Sequence, residues 1–91
     1  MKDLINDKNA SLVDVRTIGE FAGGNVKGSK NIPMDEVPER MEELKKMSRP
    51  LVLFCQSGNR SGQVLNYLKH NGFEEVYNGG GWMEVNGMLN H

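Results

Sequence analysis

The sequence predicts an α/β sandwich, with a mainly parallel central sheet flanked by helices. Three observations lead there. Short apolar or β-branched runs alternate with stretches of helical spacing along the chain. One run, "PLVLF" at 50–54, is apolar throughout, as a strand buried on both faces requires. A length of 91 residues makes one domain, 1–91, big enough for a modest core and too small for two.

Taken in order, "SLVDV" (11–15) is a short β-branched run and reads as a strand. In "TIGEF" (17–21), Thr17 and Glu20 have the spacing of a capping box, which predicts a short helix. The glycine-rich, polar "GGNVKGSKNIP" (23–33) predicts a turn leading into a brief strand that ends near Ile32, with Pro33 as a stop. From about Val37 the pattern turns helical, with Val37, Met41, Leu44 and Met47 on one face and Pro38 in a tolerant first turn. Asp35, Glu36 and Glu39 precede Lys45 and Lys46, the order the helix dipole favours. After the apolar strand, Ser61 to His70 reads as a helix with Val64, Leu65 and Leu68 inward, stopped by Asn71-Gly72. "EEVYN" (74–78) is a last strand, and "GGGW" (79–82) a glycine turn before a short C-terminal segment.

Composition narrows the function classes. With 37% hydrophobic and 25% charged residues the chain is an ordinary folded globule. The net charge is −1 with the signs interleaved, so there is no electrostatic footprint for nucleic acid or an anionic membrane. No apolar stretch approaches a membrane span, and "MKDLINDKNASL" lacks the apolar run of a secretory signal. The cytoplasm is the expected compartment. Cys55 is the only cysteine, which rules out an internal disulfide and a resolving partner for dithiol chemistry. His70 and His91 are far apart and show no zinc-ligand spacing, so no metal or other cofactor is expected.

Cys55 falls where a buried strand ends and just before a helix begins. Ligands of such folds bind at the carboxyl ends of the strands. The intervening "QSGNR" must curl around the sulfur, and Gly58 permits the backbone turn. Several backbone N–H groups of this loop then point inward with the free donors of the helix's first turn, forming an anion cradle. Arg60 adds a two-pronged cation. An ordinary thiol is only about 3% thiolate at pH 7, and such surroundings raise that fraction. A site that holds a thiolate also holds a persulfide or an oxyanion, and suits attack on sulfur or phosphorus. The plainer alternatives are a small core cysteine and a solvated arginine. A merely buried cysteine has no need of Gly58, Arg60 and a helix start at this spacing.

"LVDVRTIGEFAGGNVKGSKNIP" (12–33) followed by "CQSGNRSG" (55–62), "GF" (72–73) and "NGGG" (78–81) resembles the rhodanese, or thiosulfate sulfurtransferase, family in its single-domain form. Nearly the whole chain takes part, and the ordered set is far more specific than any piece. The resemblance implies a rhodanese-like three-layer sandwich. It implies Cys55 as the nucleophile, taking a sulfane sulfur from a small anionic donor such as thiosulfate. The resulting persulfide would pass its sulfur to cyanide or to a thiol, which could belong to a protein. The amides from Gln56 through Ser61 would stabilise the persulfide and Arg60 would bind the donor. Asp14 would be structural and Arg16 either at the pocket rim or in a salt bridge with a neighbour. Asn25 stands where the family often has histidine, and Trp82 follows Gly81 directly where the family's tryptophan often comes several residues later.

Two other function classes compete. Related phosphatases and arsenate reductases place one extra residue between cysteine and arginine, whereas Cys55 to Arg60 spans six residues here, the sulfur-transferring length. A non-catalytic anion-binding or regulatory module would keep the fold but commonly lacks the cysteine.

Overall fold

The computed structural model describes residues 1–90. Four parallel strands form one sheet in the order β2-β1-β3-β4. They are β1 Ser11–Asp14, β2 Lys30–Asn31, β3 Leu51–Cys55 and β4 Val76–Gly81. All five residues of β3 are buried between β1 and β4, as its unbroken apolar run predicts.

Alternation along β3 divides the core in two. Leu51, Leu53 and Cys55 face one helical layer, where Leu44 of α3 (Met41–Lys45) and Val64 and Leu68 of α4 (Asn59–His70) pack. Val52 and Phe54 face the other, with Ile5 of α1 (Lys2–Ile5), Val26, and Trp82 and Val85 of α5 (Trp82–Met88). The result is a three-layer α/β sandwich. The fifth helix, α2 (Ile18–Ala22), buries nothing and is fixed by the capping box: Glu20 N–H donates to Thr17 Oγ1 at 3.2 Å and Thr17 N–H to Glu20 Oε1 at 3.0 Å.

Four boundaries differ from the sequence reading. Residues Met34–Arg40 form a 3₁₀ segment ahead of α3, three residues before Val37. Pro38 sits inside it, and the missing N–H and bulky ring keep an α-helical ladder from forming until Met41. Helix α4 starts at Asn59 rather than Ser61. Strand β4 begins at Val76 and runs through Gly79–Gly81, which the reading assigned to a turn. These glycines are needed for closeness. A Cβ on Gly79 would lie 2.9 Å from Val52 Cγ1, and one on Gly81 2.8 Å from the Gln56 carbonyl oxygen. Finally, the one-turn helix α1 was unforeseen because its partners lie at the far end of the chain. Asn6 Nδ2 donates to the Met88 carbonyl at 2.8 Å. Among the described residues no helix is long and apolar enough to cross a membrane. His91, weighed with His70 as a metal ligand, lies outside the described residues.

Candidate functional site

The chain reverses between β3 and α4 in three residues, Gln56 to Gly58. Gly58 adopts φ +97°, a left-handed conformation that costs other residues energy, and it sits so close to β4 that a Cβ would lie 3.1 Å from Gly80 Cα. The turn aims the Gly58 N–H at Cys55 Sγ, 3.0 Å away, and the Ser61 hydroxyl lies 3.5 Å from the same sulfur. Cys55 is 1% exposed. Burial pushes its thiol up, but hydrogen bonds from the Ser61 hydroxyl and from the Ser61, Ser57 and Gly58 amides outweigh it and hold the thiol at about 7. These donors favour the thiolate, so more of the sulfur is ionised near neutral pH than the few per cent of an ordinary cysteine.

This sets a pH profile. The rate of Cys55 alkylation by iodoacetamide is expected to rise with pH and level off with a midpoint near 7. Ser61→Ala removes the hydroxyl donor and moves the midpoint upward. A wild-type midpoint at the ordinary thiol value, about 8.5, would mean that these donors do not act on the sulfur.

Asn78 braces the loop from β4. Leu53 pairs with Asn78 but Phe54 pairs with Gly80, so the strand bulges at this point. The Asn78 amide donates from Nδ2 to the Gly58 carbonyl at 3.0 Å. Its Oδ1 accepts from the Gly80 N–H at 3.0 Å and from the Ser61 hydroxyl at 2.7 Å, whose one proton is shared between Asn78 and the Cys55 sulfur. One side chain thus ties the turn, the first turn of α4 and the bulge together.

Two arginines flank this core with different partners. Arg60 donates to both carboxylate oxygens of Glu20, at 2.7 and 3.0 Å. The Arg60 guanidinium and the Thr17 amide hold the Glu20 carboxyl down to about 2. Arg60 is itself raised, chiefly by Glu20, with lesser contributions from the nearby Cys55 and Asp14 charges. Arg16 is 2% exposed and Asp14 fully buried. Arg16 Nη2 lies 2.7 Å from Asp14 Oδ2 and 2.7 Å from the Gly24 carbonyl oxygen, with its guanidinium 4.6 Å from the centre of the Trp82 ring. The Asp14–Arg16 ion pair is therefore present, and Arg16 is enclosed by it.

Of the residues singled out in the sequence, Cys55, Ser57, Gly58 and Ser61 come together through the sulfur. Gln56, Ser57 and Asn59 are exposed at the loop surface, and Arg60 turns to Glu20. Asn78 and the Glu20–Arg60 pairing were not foreseen. The bulge that aims Asn78 and the 40-residue separation of Glu20 from Arg60 are tertiary facts; only the "NGGG" run (78–81) marked the place. Among the described residues no group of three or more histidine, cysteine, aspartate or glutamate side chains could hold a metal ion.

A family model described as rhodanese-like domain matches residues 1–87. Over 71 residues the chain is 39% identical to the uncharacterized protein YqhL of Bacillus subtilis, covering 78% of this chain and 56% of that one. The chain thus spans little more than half the length of that relative. It is also 39% identical over 75 residues to a sulfurtransferase of Allochromatium vinosum, covering 82% of this chain and 69% of that protein. The structure of a rhodanese with anions from E. coli superposes with a TM-score of 0.71 at 30% identity, covering 82% of this chain and 89% of that one.

Proposed function

This chain belongs to the rhodanese-like domain family, and we propose that it is a sulfurtransferase working through a persulfide on Cys55. The Cys55 thiolate attacks the sulfane sulfur of a donor such as thiosulfate. The new S–S bond forms as the donor's bond to that sulfur breaks, and the leaving group departs with the electron pair. A thiophilic acceptor, cyanide or a thiol, then attacks the outer sulfur and regenerates the thiolate. No metal or organic cofactor takes part in these two displacements.

The observation that carries this reading is the convergence of donors on one sulfur, with the Gly58 N–H at 3.0 Å and the Ser61 hydroxyl at 3.5 Å. Those donors stabilise negative charge on sulfur, which both the attacking thiolate and the bound persulfide carry. The exposed Gln56, Ser57 and Asn59 form the outer edge of the cradle. The Allochromatium vinosum sulfurtransferase and the E. coli rhodanese with anions give family-level support. A reducing compartment such as the cytoplasm suits the chemistry, because a free thiol persists there.

The test is thiocyanate release from cyanide in the presence of a sulfane-sulfur donor. Turnover is expected with at least one of thiosulfate and an organic persulfide. Absence of thiocyanate with both would overturn the reading and favour a non-catalytic anion-binding module.

A further inference from the structure

The pairing of Arg60 with Glu20 bears on which donor the site accepts. A small dianion such as thiosulfate needs a free cation near the sulfur. Arg60 is the cation placed at the cradle, and its guanidinium is held by Glu20 in a two-pronged pair, at 2.7 and 3.0 Å. Glu20 is in turn fixed by the Thr17 amide, so the carboxylate is already in place before any donor arrives. Further acids surround the same region. Asp35 lines the cleft beside Arg60. The Glu84 carboxylate accepts from the Gly81 N–H at 3.0 Å, on the strand segment that packs against Gln56 and Gly58. Arg16 is spent on Asp14.

The cleft itself has a volume of about 220 Å³, and Val15, Pro33 and Met34 give it apolar walls beside Thr17, Asp35 and Arg60. Such a cleft receives the carbon stem of an organic persulfide more readily than a compact sulfur oxyanion with two negative charges. Building on the sulfurtransferase reading, we propose that the preferred donor is the persulfide of a small organic thiol, and that Glu20 is the specificity-determining residue that disfavours thiosulfate. The Cys55 thiolate attacks the outer sulfur of R–S–SH. A Cys55–sulfur bond forms, the donor's S–S bond breaks, and R–S⁻ leaves with the bonding pair and takes a proton from water. The transferred sulfur keeps its oxidation state, so the step needs no external oxidant or reductant.

Glu20→Gln isolates the charge. Glutamine serves in a capping box as glutamate does, so α2 keeps its cap while Arg60 loses its counter-ion. Loading of Cys55 by cysteine persulfide and by thiosulfate is followed by intact-protein mass over a range of donor concentrations, with thermal unfolding as the control for folding. The wild type is expected to load at lower concentrations of cysteine persulfide than of thiosulfate. In Glu20→Gln the ratio of the two loading efficiencies should shift toward thiosulfate by about two- to fivefold, the range for a partly exposed ion pair, and the shift should shrink with added salt. Better loading of the wild type by thiosulfate, or an unchanged ratio in a folded Glu20→Gln protein, overturns the proposal and leaves the sulfurtransferase reading standing. No sulfur adduct from either donor overturns both.

Discussion

Cys55→Ala and Cys55→Ser are expected to reduce thiocyanate formation to the uncatalysed background while the domain still folds. Cys55 is the sole cysteine, so no second thiol can take over its bond to sulfur. The hydroxyl of serine is a far poorer nucleophile near neutral pH, and among the described residues no general base is hydrogen-bonded to Cys55 to activate it. Stability should change little by comparison. Alanine removes one sulfur atom from the edge of the core, and serine places a hydroxyl where the Gly58 N–H and Ser61 hydroxyl can bond to it. Both changes should cost on the order of 1 kcal/mol. Thiocyanate assay and thermal unfolding, run together, check this. Turnover retained in a folded variant would remove Cys55 from the mechanism.

The largest loss of stability is expected at Asp14, the last residue of β1. Asp14→Asn keeps the size and shape of the side chain and deletes its charge, leaving the Arg16 guanidinium buried without its counter-ion. Removing one partner of a buried pair typically costs about 3–5 kcal/mol. For a chain of 91 residues the whole stability is of the order of 5–14 kcal/mol. The melting temperature should therefore fall by about 12 °C or more. Arg16 also holds the Gly24 carbonyl and lies over Trp82, so the loop after α2 and the start of α5 should loosen together. Thermal and urea unfolding read this directly. A loss below about 1 kcal/mol would show that the pair is dispensable to the fold.

The sequence carried the local part of this picture well. Buried strand, capping box and helical faces are written in neighbouring residues: Thr17–Glu20 and the Val64–Leu68 face fall where capping and periodicity place them, and the apolar strand read at 50–54 lies one residue later, at Leu51–Cys55. Three parallel pairings also follow from strands alternating with helices. What the sequence did not show depends on contacts between distant segments. Gly79–Gly81 look like a turn because glycine usually marks one, yet here they are strand residues thinned to fit against Val52, Val85 and Gln56. Pro38 was placed in the first turn of a helix, and the chain instead uses it inside a 3₁₀ segment. The cysteine loop was legible as a cradle from "CQSGNRSG" (55–62), but its brace, Asn78, projects from a bulge in another strand. Arg60 was legible as a cation and not as one already matched to Glu20.

The central claim is that Cys55 carries a transferable sulfur. The most direct measurement is the intact mass of the protein after incubation with thiosulfate and, separately, with cysteine persulfide, repeated after cyanide is added. The account predicts a mass gain of one sulfur atom, located on Cys55 by peptide mapping and removed by cyanide as thiocyanate appears. A protein whose mass is unchanged by either donor, with its thiol free and folded, would contradict it.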